Sequence, residues 1–600
     1  MRTCAAALGW WWLAGCDGGP SDDGTTTPDA DADADADADT DADTDSDADA
    51  DSDADADTGP TTPPVDGDQD GSFTPDDCDD GDPAVFPGAP DACGDDRVTD
   101  CDRTSDDGLV TVDGVATFTR LADALSAASD GSEVVVCGAA LGTAVAAVPV
   151  SIVGHGGRDV AVIDAAELGA ALTVAPGTTL TGITVRNGRS FGTGGGIALS
   201  APGALTLVDV AVTDNTAIDG GGLALPEGST LTLSNCTVSG NTANNQGGGI
   251  HAGPGVTLDL GDSVVTENEA VYAGGIYLAS GTVTGGTLTW NFGYLGGGIQ
   301  FDGDATVTGG EWAYNDGDGG GFYVDIDATL AFTDVWIHGN TAVGGFAQGG
   351  GGGHVGSWVG GARLSLLGTT RIEQNTGIYG GGLMIAADSH VSGGVIADNV
   401  GEYGGGGVYL ERGSVSDAVV TGNATTEPYA TGGGVSLAAY GTATIDGCTV
   451  DGNAAALGGG VAASNDGHLA ILDTAITAND ADLGGGVYLA QDVELTGTTI
   501  ADNTADRGAG LYVAELFGGH RFDARLTSSS VVRNVAAEDG GGAYLAQPGL
   551  ASTASDWGDG PDDNLPGDVF VGGVEVTGYG PDATFVCAAA CDPLPTGGVR

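Results

Sequence analysis

One phrase recurs along most of this chain, and it restricts the fold more than any other feature. An apolar residue is followed three positions later by Asn, then by a Gly pair or triplet, then by an apolar-x-apolar run. It reads V-T-D-N-T-A-I-D-G-G-G-L-A-L at Val212–Leu225. It returns as V-S-G-N-T-A-N-N-Q-G-G-G-I at Val238–Ile250, I-A-D-N-V-G-E-Y-G-G-G-G-V-Y-L at Ile396–Leu410 and I-T-A-N-D-A-D-L-G-G-G-V-Y-L at Ile476–Leu489. The Asn fall at 187, 215, 241, 268, 291, 315, 340, 375, 399, 423, 453, 479, 503 and 534, mostly 23 to 28 residues apart. That period is too long for one strand and too short for a domain, so it marks a stacked array.

Within each period the apolar residues alternate, as in Ile197-Ala-Leu199, Leu205-Thr-Leu207 and Val210-Ala-Val212. Alternation at period two makes strands with one buried face. Three strands and three turns per period build one coil of a parallel β-helix, an all-β solenoid. Asn tolerates left-handed backbone and offers an amide that bonds to the Asn stacked above it. Gly supplies positive φ and lets coils approach closely. Cys236 and Cys448 each stand five before an Asn, on the inward side, and lie eight coils apart. At ~4.8 Å per coil they are roughly 38 Å apart, far beyond the ~7 Å a disulfide allows. Both are expected to be buried, unpaired small apolar residues.

Composition narrows the partners. The 600 residues include 111 Gly and 85 acidic residues against 15 basic ones, all Arg, for a net charge of −70. With no basic patch to displace counterions, nucleic acid is excluded as a partner. Divalent cations are the natural counterpart of such a surface.

Residues 1–15 read as an export signal, with Arg2 before the apolar run Cys4–Leu13. Leu13-Ala-Gly-Cys16 resembles a bacterial lipobox, which implies a lipid on Cys16, a membrane partner through that anchor, and a place at the outer membrane or cell surface. Asp17, which follows, favours inner-membrane retention in some bacteria and leaves the choice of membrane open. Residues 16–64 are low complexity, with Asp at every second position from Asp29 to Asp57. Such a segment buries nothing and repels itself, so it is read as a disordered acidic tether.

Residues 65–108 are rich in Asp and Cys. Asp66, Asp68, Asp70, Gly71, Ser72, Phe73 and Asp77 follow the spacing of an EF-hand loop. Asp66, Asp68, Asp70 and Asp77 would supply carboxylates and Ser72 its carbonyl. Asp77 stands where Glu is usual, so modest Ca²⁺ affinity is expected. The continuation through Cys78, Cys93 and Cys101 resembles a short Asp/Cys-rich metal-binding motif of bacterial surface proteins. Cys78, Cys93, Cys101 and Cys137 are even in number, and three pairings are open.

Thr117–Asp130 is the one helix candidate, with Phe118, Leu121, Ala122 and Leu125 on one face. Residues 109–147 thus form a cap and the first strands. A short helix before G-S-E-V-V-V resembles the N-terminal cap of pectate-lyase-like right-handed β-helices. Coils then occupy 148–571. Their repeat also resembles that of chlamydial polymorphic outer-membrane proteins, with Val, Ile, Leu or Trp312 in place of the Phe of F-x-x-N and without the C-terminal barrel. Residues 572–600 read as a closing cap, with Cys587 and Cys591 placed for a small loop.

Two regions suggest function. The long intervals Asn340–Asn375 (His354, Trp358, Arg363, Arg371) and Asn503–Asn534 (His520, Arg521, Asp523, Arg525) interrupt the repeat. Lyases of this architecture use a basic residue as base, hydrolases clustered Asp. His520, Arg521 and Arg525 are the candidate base cluster, to be weighed against solvated loop charges. Trp290, Trp312, Trp336 and Trp358 lie within 69 residues. Exposed in a row, such rings stack on sugars. Trp312 sits at the inward position and is expected in the core, which leaves Trp290, Trp336 and Trp358 as candidate glycan contacts. The reading is a monomeric, lipid-anchored surface β-helix with a non-enzymatic adhesion, glycan-contact or envelope-structural role and calcium binding. The alternative is a polysaccharide lyase or glycoside hydrolase.

Overall fold

The computed structural model describes residues 66–72, 77–79, 81–87, 101, 110–342, 349–357, 360–438, 441–515, 523–547, 549–587 and 590–592. The chain divides into two compact units, Met1–Pro63 and Pro64–Arg600, and every described residue belongs to the second. The signal, Cys16, the acidic tether, Cys93, Trp358, His520 and Arg521 lie outside the described residues.

The second unit winds into a right-handed parallel β-helix of about 16 turns. Strands of consecutive coils pair in parallel and in register. Ile197–Leu199 lies between Leu172–Val174 and Leu223–Leu225. Ala204–Val208 pairs with Thr230–Ser234, and Ala211–Thr213 with Thr237–Ser239. This register stacks the residues that stand three before each Asn: Val212 on Val238, then Val265, Leu288, Trp312 and Ile337. All are buried, and with their counterparts in the other rows they form one continuous core along the axis. Cys236 and Cys448 are buried and free, as expected.

The Asn form the second internal column. Asn241 Nδ2 donates to Asn268 Oδ1 at 2.9 Å and to the Val212 carbonyl of the coil before at 2.9 Å. Its Oδ1 accepts the backbone N–H and the side-chain amide of Asn215. The pattern repeats unbroken to Asn534, so a column of amides is buried with its donors and acceptors matched.

Four features differ from the sequence reading. First, the left-handed residue is the one before the Asn, not the Asn itself: Asp214, Glu267, Trp290, Tyr314, Gln374, Asp398, Ala478, Asp502 and Arg533 all have φ between 53° and 58°. The Asn must turn its amide inward, and the corner that does so falls one residue earlier. Second, most coils carry a fourth short strand between Asn and Gly, such as Thr216–Asp219 and Thr242–Gln246. Its inward residue is small (Ala217, Ala243, Ala270, Ala481) because this strand folds closely onto the Gly segment. There Gly220 has φ 65°, and a Cβ on Gly221 would lie 2.5 Å from the Gly248 oxygen.

Third, the column runs from Asn215 to Asn564, not from Asn187. Asn187 is half-buried, is itself left-handed (φ 54°), and bonds both carboxylate oxygens of Asp164. Asn564 accepts from Asn534 and donates to the Val531 carbonyl. Parallel coiling continues to Val569–Val571, and antiparallel strands Val574–Val576 and Ala583–Cys587 then close the end. Fourth, the helix spans only Leu121–Ala127, with Leu121, Ala124 and Leu125 inward. Thr117 and Phe118 belong instead to strand Ala116–Phe118, which pairs antiparallel with Val110–Val112 and so leaves less chain to the helix. Helix and strand together cover the first coil's open edge.

Candidate functional site

Three of the four expected carboxylates, those of Asp66, Asp68 and Asp70, come together. Ligand oxygens of Asp66, Asp68 and Asp70 lie within 4.8 Å of one another. Backbone N–H groups of Gln69 and Gly71 hold Asp66, that of Asp70 holds Asp68, and that of Ser72 holds Asp70. Partial burial pushes the Asp68 carboxyl up, and Asp70, Asp77 and Asp66 add to this by repulsion. Asp77, the fourth expected carboxylate, is not among these three and groups with Cys78 and Cys101 instead. One oxygen each of Asp68, Asp70 and Asp77 is buried without a hydrogen-bond partner. Convergent, unsatisfied carboxylates suit a hard cation with oxygen ligands. Asp77, Cys78 and Cys101 also cluster, but Cys78 and Cys101 are joined as a disulfide and offer no thiolate. Cys137 is disulfide-bonded as well, and Cys587 pairs with Cys591.

The second assembly is aromatic. Trp290 and Tyr314 each occupy the left-handed position before an Asn, on consecutive coils, with φ 57° and 56°. Bulky side chains rarely take this conformation, and the neighbouring coils use Glu267 and Gly339 there. Trp290 is 62% exposed and stacks on Tyr314 at 5.0 Å. Tyr314 meets His338 edge-on at 5.7 Å, and His338 stacks on Trp336 at 3.9 Å. Gly339 leaves room for this, since a Cβ there would lie 2.7 Å from the Tyr314 ring. Carboxylates fix the far end: Trp336 Nε1 donates to Glu373 at 2.8 Å, and His338 Nε2 lies 2.9 Å from Glu311. Phe292 and Tyr294, just past the Asn291 corner, are also exposed.

The strip thus includes two of the three expected tryptophans, Trp290 and Trp336. Trp312 is fully buried against Phe301, Phe322 and Phe332, as its inward position implied. Tyr323 is buried. Sequence reasoning did not assign His338 to the strip. Aligning coils on their Asn would have shown it, because His338 stands two before Asn340 and beside the Tyr314 corner.

Arg525 lies exposed on strand Ala524–Thr527, paired with Glu494 at 3.4 Å and Asp523 at 3.2 Å. Arg363 and Arg371 lie exposed on strand Arg363–Glu373, whereas His354 is buried.

Residues 368–546 match a family model described as a right handed beta helix region. No curated protein and no solved structure gives a significant match.

Proposed function

We propose that this right-handed β-helix is an exported surface protein, anchored by a lipid on Cys16, that contacts polysaccharide without cleaving it. The observation that carries the glycan contact is the pair Trp290 and Tyr314, held exposed on consecutive corners in a conformation that disfavours bulky residues. Strained exposed aromatics gain nothing for the core, and backbone strain of this kind gathers at functional sites. The coil spacing of ~4.8 Å sets the rings in a row that a sugar chain can follow, and Glu311 and Glu373 flank it with acceptors for hydroxyl groups. We further assign a Ca²⁺ site to Asp66, Asp68, Asp70, the Ser72 carbonyl and Asp77. The bound ion would neutralise these carboxylates and fix the segment.

The test is retention of the full chain on insoluble neutral and acidic polysaccharides, scored together with release of soluble oligosaccharides. Retention without release is expected. Trp290→Ala and Trp336→Ala should each weaken it about tenfold, the loss of roughly one stacking contact. Retention unchanged in the double variant would remove the strip from the proposal. Oligosaccharide release would replace it with the lyase or hydrolase reading.

The calcium assignment is checked separately by calorimetric titration of the chelator-treated chain. One ion should bind with modest affinity, and Asp68→Asn should weaken it about tenfold. Absence of heat, or equal affinity in the variant, would sink it.

A further inference from the structure

The short strand after each Asn lies on the surface, with its second residue inward. On the coils of Asn215 to Asn291 these strands form a four-stranded parallel sheet: Thr216–Asp219, Thr242–Gln246, Glu269–Ala270 and Phe292–Gly293. Ala217, Ala243, Ala270 and Gly293 are buried, and the residues on either side of each face outward. Among these, Ile218, Val271, Phe292 and Tyr294 are 41% to 48% exposed. The fold does not require large apolar residues there. On the coils of Asn453, Asn479 and Asn503 the same two positions hold Ala454 and Ala456, Asp480 and Asp482, and Thr504 and Asp506. A run of large exposed apolar residues on a chain with a net charge of −70 marks a contact surface.

At its N-terminal end this face meets a cavity. On the coil of Asn187 a loop takes the place of the short strand: Arg189 bridges to Thr216 and Thr193 to Asp219, so five residues stand beside four. Phe191, at the middle of the loop, is 87% exposed. The coil before turns at Ala166 and Glu167, both left-handed (φ 51° and 61°). Between them lies a cavity of about 330 Å³, whose lining includes Glu167, Asn187, Arg189, Phe191, Ile218 and Asn244. Arg189 Nη1 lies 3.4 Å from Glu167 Oε2, and its guanidinium carbon 6.0 Å from the centre of the Phe191 ring. Both charged side chains are more than half exposed, as Asn244 is exposed, so a ligand can reach them. The cavity thus sets an accessible aromatic ring beside amide and charged hydrogen-bonding groups, the combination that holds a sugar ring.

Four coil steps, ~19 Å, separate the cavity from Phe292 and Tyr294. These two lie just across Asn291 from the Trp290 corner, so cavity, sheet and aromatic strip are continuous. Thr216, Thr242 and Asn244 place hydrogen-bonding groups between the apolar residues along the way. A matching occupant is therefore long and carries apolar faces and hydroxyl groups throughout. Arg189 is already paired with Glu167, while Asp214 and Glu269 add negative charge, so a polyanion is repelled.

We propose that a neutral polysaccharide chain lies along this sheet from Phe292 and Tyr294, with one chain end seated in the Phe191 cavity. The inference rests on the polysaccharide reading above and extends it by giving the glycan's charge, its path and the seat of its end. Path and strip use different residues, so the two readings can fail separately.

The experiment is calorimetric titration of the full chain with a β-linked glucose hexamer, the corresponding disaccharide and a galacturonate hexamer. The glucose hexamer is expected to bind at least about tenfold more tightly than either of the others, because the disaccharide cannot span the path and the galacturonate is repelled. Phe191→Ala and Tyr294→Ala should each weaken hexamer binding about tenfold, the loss of roughly one ring contact. Tyr429→Ala, which removes a ring 85% exposed outside the path, should leave it unchanged. Thermal melting of each variant reports whether it remains folded. A hexamer that does not bind, or binds no better than the disaccharide or the galacturonate, overturns the proposal, as does binding that survives both path substitutions. Self-association in sedimentation that Phe191→Ala abolishes, without hexamer binding, would give the face to a second copy of the chain and also overturn it. Hexamer binding that needs Phe191 while retention ignores Trp290 and Trp336 would uphold the path and discard the strip. Retention that needs Trp290 while hexamer binding ignores Phe191 and Tyr294 would do the reverse.

Discussion

Asn399→Ala is expected to destabilise the β-helix by about 2–6 kcal/mol, from two buried groups left unmatched at about 1–3 kcal/mol each. Asn399 Nδ2 donates to the Ile372 carbonyl and to Asn423 Oδ1, and its Oδ1 accepts both the N–H and the Nδ2 of Asn375. Alanine leaves the buried Asn375 N–H without an acceptor and the Ile372 carbonyl without this donor. Asn375 Nδ2 keeps its bonds to Ile337 and Glu373, and Asn423 Oδ1 keeps the N–H of residue 399. Because each coil contacts only its neighbours, the loss should concentrate near residues 375–423. Urea titration measures the total, and hydrogen exchange its location. Asn187→Ala, outside the column, should cost less than about 1 kcal/mol, as a half-exposed hydrogen bond does. Similar costs at the two positions would mean that the column contributes nothing special.

Trp312→Ala is expected to cost about 3–5 kcal/mol, the range for removing a large aromatic side chain from a packed core. The ring is fully buried, with Phe332 at 5.3 Å and Phe322 at 6.2 Å edge-on to it. Trp312→Phe should cost less than about 1.5 kcal/mol, because it keeps most of the volume. It also removes an indole N–H that has no hydrogen-bond partner. Neither change should alter polysaccharide retention, since Trp312 is not part of the exposed strip. Thermal melting of both variants checks the pair. A Trp312→Phe loss as large as that of Trp312→Ala would show that the indole's shape, not its bulk, fills the site.

The solenoid was legible because its signals repeat. From Asn215 to Asn534 the residue three before each Asn is apolar, and one misread coil is corrected by the next. The short fourth strand was not, since two to five residues such as Thr-Ala-x-x read equally well as a turn. The left-handed corner was hidden because its residue varies among Asp, Gly, Glu, Gln, Tyr, Trp, Ala and Arg, so no composition marks it. Asn564 lay behind an interval containing Trp557 and Pro561, which looked like the end of the repeat. The two aromatic corners are visible only when coils are aligned on Asn291 and Asn315. The buried row Tyr277, Gln300, Tyr323, His354 and Met384 assembles through register alone, and no local window contains it.

The column of amides also has a direction. Each Asn donates toward the next coil, so thirteen C=O and N–H dipoles line up head to tail from Asn215 to Asn534, and Asn564 receives the last. In a dry interior such chains polarise one another. Their electropositive end emerges at the C-terminal cap, where Asn564 Nδ2 faces Asp568 at 3.5 Å. Burial drives the Asp568 carboxyl up to about 7, while the Asn564 amide and the Tyr579 N–H draw it down. The solenoid therefore carries a long buried dipole along its axis, with a buried acid set over its positive pole.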